Sequence, residues 1–297
     1  MPSLRANGVE LDYDVHGPAD GRPLLLIMGL AMQRVAWPPA LLDALAARGF
    51  RCISFDNRDI GLSTRFEAHG SPSLPQVVAS RLIGRRYRLP YTLADMADDG
   101  AALLEALGVP AADVVGISMG GMIAQHFASR HPQRARSITL MATSSGRLGL
   151  PLPRPSVLRV MLTRPQSGQG LDAAVDYVTR LFRLIGSPAY PMSRNELQRR
   201  ARAAVERAPL GSGVNRQVAA IISDIERPDL LRRITTPALV LHGIADPLVP
   251  LAHGIDLARA LPRAKLQTFP GWGHDLPDAL ARDFATVIAS HAAQAGG

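Results

Sequence analysis

The stretch Val114-Val115-Gly116-Ile117-Ser118-Met119-Gly120-Gly121 decides the fold that this sequence predicts. It contains Gly-x-Ser-x-Gly, with an apolar β-branched run before it and the helix-forming run 122–128 after it. A serine in so sharp a strand-to-helix turn has a strained backbone, and side chains two residues to either side would collide across the turn. We therefore predict a nucleophile elbow with glycines Gly116 and Gly120, which lifts the hydroxyl of Ser118 off the end of a strand.

Apolar runs typical of buried strands alternate with helix-like runs on both sides of this motif. Residues 4–16 form two short alternating segments around Asn7-Gly8, which predicts a β-hairpin. The alternation is typical of a mostly parallel, eight-stranded sheet covered by helices, so the fold class is α/β. The other strands are predicted at 24–28, 50–55, 113–117, 137–142, 237–242 and 264–269, and helices at 40–48, 93–107, 120–130, 250–260 and 277–293.

Two segments interrupt this alternation. Residues 56–90 contain a polar loop followed by Pro- and Arg-rich sequence, which we interpret as irregular. Residues 147–233 contain amphipathic helical runs at 171–184 and 194–208 and nothing strand-like. An all-helical insertion after the sixth strand predicts a cap (lid) at 147–233 on a core formed by 1–146 and 234–297.

Two later strands each end in a residue that a nucleophilic serine requires. Asp246 follows the strand at 237–242 and His274 follows the strand at 264–269. Sites in open α/β sheets form outside the carboxyl ends of the strands, so Ser118, Asp246 and His274 are expected on one edge. Imidazole, with a pKa of about 6.5, takes the serine proton and later returns it, while the carboxylate orients the ring.

An oxyanion hole needs two backbone N–H donors aimed at the developing negative charge. One is predicted to come from Met119, the residue after the nucleophile. The other is predicted to come from Leu30, in the turn after the apolar strand 24–28.

Five stretches carry a resemblance to a known family: 26–30, Trp37-Pro38, 55–63, 116–120 and Gly273-His274-Asp275-Leu276-Pro277. Through them the chain resembles the α/β-hydrolase fold superfamily, in particular a bacterial subgroup of serine esterases that includes aclacinomycin methylesterase. The resemblance implies a serine carboxylic-ester hydrolase with a helical cap and no cofactor. Two positions depart from many superfamily members: Met28-Gly29 replaces His-Gly, as in the subgroup, and Arg58-Asp59 replaces Arg-Gly, which we interpret as a structural loop variant.

Other polar residues compete for roles in this site. Asp275 is an alternative acid, but a sequence neighbour of the base rarely reaches its ring nitrogen correctly. The position after the strand 137–142, which supplies the acid in some hydrolases, has no carboxylate in 142–146. His242 is expected to be structural, and His126 with His131 lack the spacing of a metal site, so no metal is predicted.

Composition and charge exclude several other classes. The net charge of +8 comes from scattered arginines, and the densest cluster, Arg81, Arg85, Arg86 and Arg88, is expected to be a solvated helix face or loop rather than a nucleic-acid site. A single cysteine, Cys52, allows no internal disulfide. No signal-like segment or membrane-spanning run is present, so we expect a cytoplasmic protein that acts at no membrane.

The sequence therefore predicts hydrolysis of a small to medium carboxylic ester through an acyl-enzyme on Ser118. Cofactor-free perhydrolases, lactonases, thioesterases and carbon–carbon bond hydrolases share the triad and stay open, as does a hydrolase-like ligand-binding or sensing protein. The partner expected is a small-molecule ester. Neither its identity nor the oligomeric state follows from the sequence.

Overall fold

Eight strands form one sheet in the order β1-β2-β4-β3-β5-β6-β7-β8, in a computed structural model that describes residues 2–85, 87–163, 170–209, 211–224 and 227–295. The pairings β1–β2 and β2–β4 are antiparallel and the other five are parallel, which confirms the predicted fold class. The strands are β1 (Ser3–Ala6), β2 (Val9–His16), β3 (Arg22–Ile27), β4 (Phe50–Phe55), β5 (Ala112–Ile117), β6 (Ala135–Met141), β7 (Ala238–Gly243) and β8 (Ala264–Phe269).

The hairpin of β1 and β2 turns at the predicted residues. Asn7 and Gly8 have φ values of 48° and 76°. Two successive positive φ angles are what a two-residue type I′ turn requires, and Asn-Gly is the pair that adopts them most readily. The hairpin predicted from the local sequence is therefore confirmed.

Helices cover both faces of the sheet, which explains why its central strands are apolar without alternation. In β3, Leu25 and Ile27 pack into one apolar layer, and Leu24 and Leu26 into the other. The helices of the core are α1 (Pro39–Ala46), α3 (Leu93–Ala106), α4 (Met119–Arg130), α10 (Leu251–Ala260) and α11 (Ala281–Ala295). Thr92 and Asp95 form a capping box at the start of α3.

A further helix, α2 (Leu74–Leu82), lies within 56–90, so the prediction of wholly irregular structure there was wrong. Pro75 stands in its first turn, where the missing N–H costs nothing. Its apolar residues lie on both sides: Val77 is buried and Leu74 half-buried, whereas Val78 and Leu82 are 41% and 78% exposed. Apolar residues that are spread around a helix give no clear one-sided pattern by which the sequence would predict it.

The arginine cluster next to α2 is only partly described. Arg81 lies in α2 and is half-buried, while Arg85 and Arg88 are exposed in the loop after it. Arg86 lies outside the described residues. The exposed members agree with a solvated loop.

Helices also occupy the chain between the end of β6 and the start of β7. They are α5 (Pro155–Leu162), α6 (Leu171–Ile185), α7 (Arg194–Arg207), α8 (Gly213–Ser223) and α9 (Pro228–Arg232). No strand occurs in 147–233 among the residues that the structure describes. Helices α6 and α7 match the predicted runs within a residue at each end and pack through Val175, Ala201 and Val205. We refer to 147–233 as the helical insertion.

Candidate active site

Ser118 lies at the sharp turn between β5 and α4. Its φ of 56° and ψ of −120° place it in a backbone region that few non-glycine residues adopt, which costs on the order of 1–3 kcal/mol. The surroundings hold it there: its N–H donates to the carbonyl of Met141 at 2.9 Å, and its carbonyl accepts the hydroxyl of Thr143 at 2.6 Å. These hydrogen bonds keep the backbone of Ser118 in its strained conformation, and the side chain is half-buried.

The glycines of the turn are required by close backbone contacts. A Cβ on Gly116 would lie 2.1 Å from the carbonyl oxygen of Gly120, and a Cβ on Gly120 would lie 2.1 Å from that of Ile27. Gly121 is equally constrained, because its Cβ would meet the Thr143 side chain at 2.6 Å. The need for Gly121 was missed, since it depends on Thr143 in the loop after β6.

His274 and Asp246 are joined by a hydrogen bond of 2.7 Å between Nδ1 and Oδ2. The other carboxylate oxygen of Asp246 accepts the backbone N–H groups of Leu248 and Val249, both at 2.8 Å. These bonds fix the carboxylate, and the carboxylate fixes the orientation of the ring. Both side chains are buried.

The three predicted triad residues stand at the same edge of the sheet. Ser118 follows β5, Asp246 follows β7 and His274 follows β8, with β6 between β5 and β7. Within the described part of the chain, the Ser118 hydroxyl is hydrogen-bonded to neither partner. Catalytic hydrogen bonds of this kind are often long until substrate binds.

The turn after β3 lies directly beside the serine. A Cβ on Gly29 would be 3.2 Å from Cβ of Ser118 and 3.8 Å from its Oγ. The two predicted oxyanion-hole residues are close by in the chain: Leu30 is the residue after Gly29, and Met119 is the first residue of α4 and follows Ser118. Neither backbone N–H of these two residues has an acceptor among the described residues, so both are free to bind an anion.

Asp275, the alternative acid, is hydrogen-bonded to the helical insertion, whereas the imidazole Nδ1 is bonded to Asp246. Its Oδ1 accepts the hydroxyl of Ser187 at 2.5 Å, and the same hydroxyl oxygen accepts the N–H of Gly273 at 2.9 Å. Burial raises the pKa of Asp275, and the Ser187 hydrogen bond opposes that rise. The backbone N–H of His274 donates to the carbonyl of Ile185 at 2.7 Å, so the end of α6 supports the loop that carries the imidazole.

His242 contacts the same carboxylate only weakly. Its Nε2 lies 2.7 Å from the carbonyl of Val249 and 3.9 Å from Oδ2 of Asp246, and its Nδ1 is buried without a hydrogen-bond partner. Burial lowers the pKa of His242, and the Val249 carbonyl only partly opposes this. A neutral ring that is fully buried is a packing group, as its position at the strand end suggested.

The remaining histidines of interest are paired with carboxylates or chain carbonyls. His126 and His131 bind Asp224 and Asp98 at 2.8 and 2.7 Å. His253 is half-buried and links the hydroxyl of Ser144 at 2.8 Å to a carbonyl of the insertion. Across the described ranges, no group of three His, Cys, Asp or Glu side chains could hold a metal ion, and none of the helices there could cross a membrane.

Asp59 forms a buried ion pair with the helical insertion, so it is more than a loop variant. The Arg216 guanidinium, on α8, donates to both its carboxylate oxygens at 2.7 Å. The hydroxyl of Tyr91 and the N–H of Phe66 donate to it as well, at 2.7 and 2.8 Å. Burial raises the pKa of Asp59, but the hydrogen bonds from Arg216, Phe66 and Tyr91 outweigh it, so the pKa lies below its usual range.

A second buried cluster ties α7 to the core. Arg207 donates to Asp12 and Asp56 at 2.5 and 2.7 Å and to the side chain of Gln33 at 2.6 Å. Gln33 in turn donates to the carbonyl of Ala204 at 2.6 Å. These partners are far apart in the chain, so no local pattern indicates their contact.

The comparison with known proteins decides the family. Residues 22–278 match the family defined by the alpha/beta hydrolase fold. The chain belongs to this family.

Its relatives include several hydrolases. Rhodomycin D methylesterase of Streptomyces sp. (strain C5) is 30% identical over 294 residues, which cover 92% of this chain and 91% of the relative. The 2-hydroxymuconate semialdehyde hydrolase of Pseudomonas putida is 26% identical over 286 residues, which cover 95% and 91%. The solved meta-cleavage product hydrolase of Pseudomonas fluorescens IP01 has a TM-score of 0.75 at 19% identity and covers 99% of this chain and 98% of its own, which shows the shared fold.

Proposed function

We propose that this member of the family is a carboxylic ester hydrolase that works through an acyl-enzyme on Ser118. The observation that carries the proposal is the His274–Asp246 hydrogen bond of 2.7 Å at the sheet edge where the strained serine lies. A relative that is a methylesterase, matched over nearly the whole chain, supports ester hydrolysis as the reaction.

Each residue has a distinct role in this mechanism. Oγ of Ser118 attacks the ester carbonyl carbon while Nε2 of His274 takes the hydroxyl proton. Asp246 stabilises the imidazolium and does not itself become protonated. The N–H groups of Leu30 and Met119 bind the oxyanion of the tetrahedral intermediate.

The intermediate then collapses and the C–O bond to the alcohol breaks. The imidazolium gives its proton to the leaving alkoxide, so an alcohol departs and an ester to Ser118 remains. Water, deprotonated by the same imidazole, attacks this ester and releases the carboxylic acid with the serine regenerated. No cofactor is needed for any of these steps.

We assign 147–233 as a lid on a core formed by 1–146 and 234–297. Support comes from its hydrogen bonds to the loops of the site edge, since Ile185 and Ser187 contact the His274 loop and Arg216 contacts the loop after β4. A helical segment held at that edge borders whatever binds above the serine. Substrate preference is therefore expected to follow substitutions in the insertion.

The test compares Ser118→Ala with Ser145→Ala on short-chain p-nitrophenyl esters. Ser145 is also a buried serine that follows a strand of the sheet, but its hydroxyl donates to Asp256 at 2.6 Å. Ser118→Ala is expected to lower kcat by at least about 10⁴-fold, and Ser145→Ala to leave kcat within about threefold of wild type. Labelling by a fluorophosphonate probe should disappear only in the first variant, and undiminished turnover by Ser118→Ala would overturn the mechanism.

A second candidate substrate class follows from the Pseudomonas putida relative, whose name specifies 2-hydroxymuconate semialdehyde. That compound belongs in a panel with esters of varied acyl length and alcohol bulk, including methyl esters of polycyclic acids. The ester proposal expects the highest kcat/KM among the esters. Thermal stabilisation by a panel member without turnover of any of them would instead indicate a ligand-binding protein.

A further inference from the structure

Gln217, on α8, is fully buried and hydrogen-bonded at both ends of its amide to the core. Its Oε1 accepts the backbone N–H of Ala31 at 3.0 Å, and its Nε2 donates to the carbonyl of Arg58 at 3.0 Å. Because one bond uses the acceptor and the other a donor, the orientation of the amide is fixed. A buried polar side chain held in this way fixes the backbone groups that it binds.

Ala31 is a residue that needs such support. Its φ of 61° lies in the left-handed region, where a Cβ costs roughly 1–2 kcal/mol. Conformations of this kind persist only when the surroundings over-determine them. The bond from the Ala31 N–H to Gln217 is the contact from the helical insertion that supports this conformation.

Leu30 is the residue immediately before Ala31, and both peptide groups beside it are restrained. On one side, in the peptide group that carries the Leu30 N–H, the carbonyl of Gly29 accepts the N–H of Met32 at 3.2 Å. On the other side, the Leu30–Ala31 peptide is held through its N–H by Gln217. The direction of the Leu30 N–H therefore depends on a residue that is 186 positions away from Ala31 in the chain.

The position of Gln217 is itself secured by its neighbour in sequence. Arg216 donates to both carboxylate oxygens of Asp59. Asp59 directly follows Arg58, whose carbonyl accepts the side-chain amide of Gln217. The two adjacent side chains thus attach α8 to the loop after β4 and to the turn after β3. A shift of α8 would move the Ala31 N–H acceptor with it.

We propose that Gln217 is a positioning residue that sets the Leu30 N–H of the oxyanion hole, which makes α8 part of the catalytic apparatus. This inference rests on the ester hydrolase mechanism proposed above. Gln217 acts only through Ala31 and Leu30 and has no contact with the reacting atoms. Since an oxyanion hole works by donors that are aligned before charge develops, a misdirected Leu30 N–H lowers kcat and leaves ground-state binding unchanged.

The test replaces Gln217 by Met, which keeps the length of the side chain and removes both hydrogen bonds. We expect kcat to fall by about 10- to 100-fold with KM within about twofold of wild type. The complete loss of one oxyanion-hole donor lowers kcat by about 10²- to 10³-fold, and a misdirected donor should lower it less. The affinity for a boronic acid that forms a tetrahedral adduct with Ser118 should fall by a similar factor. Gln217→Glu keeps an oxygen that accepts the Ala31 N–H and is expected to retain kcat within about fivefold.

Gln125→Met is the matched control, since Gln125 is an equally buried glutamine whose amide donates to the carbonyl of Ser144 at 3.0 Å and accepts from Arg227 at 3.1 Å. It should lose thermal stability to a similar degree with kcat within about threefold of wild type. Gln217→Asn, which retracts the amide, replaces the Met variant in the comparison if that variant does not fold.

Two results would overturn the positioning role: unchanged kcat in a folded Gln217→Met or Gln217→Asn protein, or an equal loss of kcat in the Gln125 control. Ser118→Ala is assayed in parallel. If that variant retains turnover, the ester hydrolase mechanism fails. If only Gln217→Met retains turnover, the mechanism stands and the role of Gln217 is refuted.

Discussion

Replacing Arg216 by Met is expected to destabilise the protein strongly, because it leaves the buried carboxylate of Asp59 without its cation. Arg216 and Asp59 are 1% and 2% exposed, so water cannot replace the lost partner. Breaking a buried ion pair by removing one member costs about 3–5 kcal/mol. The hydrogen bonds from Tyr91 and Phe66 to Asp59 remain, so we expect a value near the lower end, about 3 kcal/mol.

The double variant Asp59→Gly/Arg216→Met shows whether this cost comes from the orphaned charge. Asp59 has a φ of 73°, which glycine adopts without strain, and removing both charges leaves neither one unpaired. We expect the double variant to be more stable than Arg216→Met alone by about 1–3 kcal/mol. Asp59→Gly alone should be destabilised, because it orphans the buried guanidinium.

The assay is urea unfolding followed by tryptophan fluorescence, since Trp37 and Trp272 are 1% and 0% exposed and report loss of the core. A loss of less than about 1 kcal/mol in Arg216→Met would refute the importance of the pair. The same conclusion would follow if the losses of the two single variants simply added in the double variant.

The dependence of folding stability on pH gives an independent check that the ionised Asp59 stabilises the folded protein. The folded-state pKa of Asp59 is lowered, so its contribution to stability is full above its unfolded pKa of about 3.9 and is lost as the pH falls through the folded value. The stability difference between wild type and Arg216→Met should therefore narrow in acid. A difference that grows as the pH falls below about 4 would contradict this assignment.

Three further predictions concern the site and the core. Asp246→Asn should lower kcat by about 10⁴-fold by favouring the wrong imidazole tautomer, while Asp275→Asn should lower it far less; steady-state kinetics that rank them the other way would make Asp275 the acid. Gly120→Ala should lower the free energy of unfolding, measured by thermal unfolding, by about 3 kcal/mol or more, because its Cβ would lie 2.1 Å from a backbone oxygen of β3. Gly211→Ala should lower it much less, since its Cβ would meet the end of an arginine side chain at 3.2 Å. Burial raises the pKa of the Cys52 thiol to about 12, so a disulfide reagent at pH 8 should react with it only after denaturation, and rapid reaction of the native protein would show that the thiol is accessible.

Much of the fold was predicted from the sequence because its signals are local. The Asn7-Gly8 turn, the Thr92 capping box and the unbroken apolar runs of the parallel strands each depend on residues within a few positions of one another. Helix α2 was not predicted because its apolar residues lie on both its buried and its exposed sides, so it lacks the one-sided apolar pattern by which helices are recognised.

The candidate triad also has sequence signals, since each residue follows a strand and the family order is Ser, Asp, His. The structure adds what holds these residues in place. Ser187 binds Asp275 from 88 positions away, and Arg216 binds Asp59 from 157 positions away. A polar residue on an amphipathic helix looks the same in sequence whether it faces water or a buried partner.

The sequence by itself determined the elbow around Ser118, the parallel sheet and the edge at which the three candidate residues stand, because strand direction and glycine sterics act over short distances. Only the tertiary structure decided that helices of the insertion support the turn at Ala31 and the loop at His274. Those contacts arise when segments that are remote in the chain pack together, and the cost of burying polar groups then selects the few partners that can satisfy them.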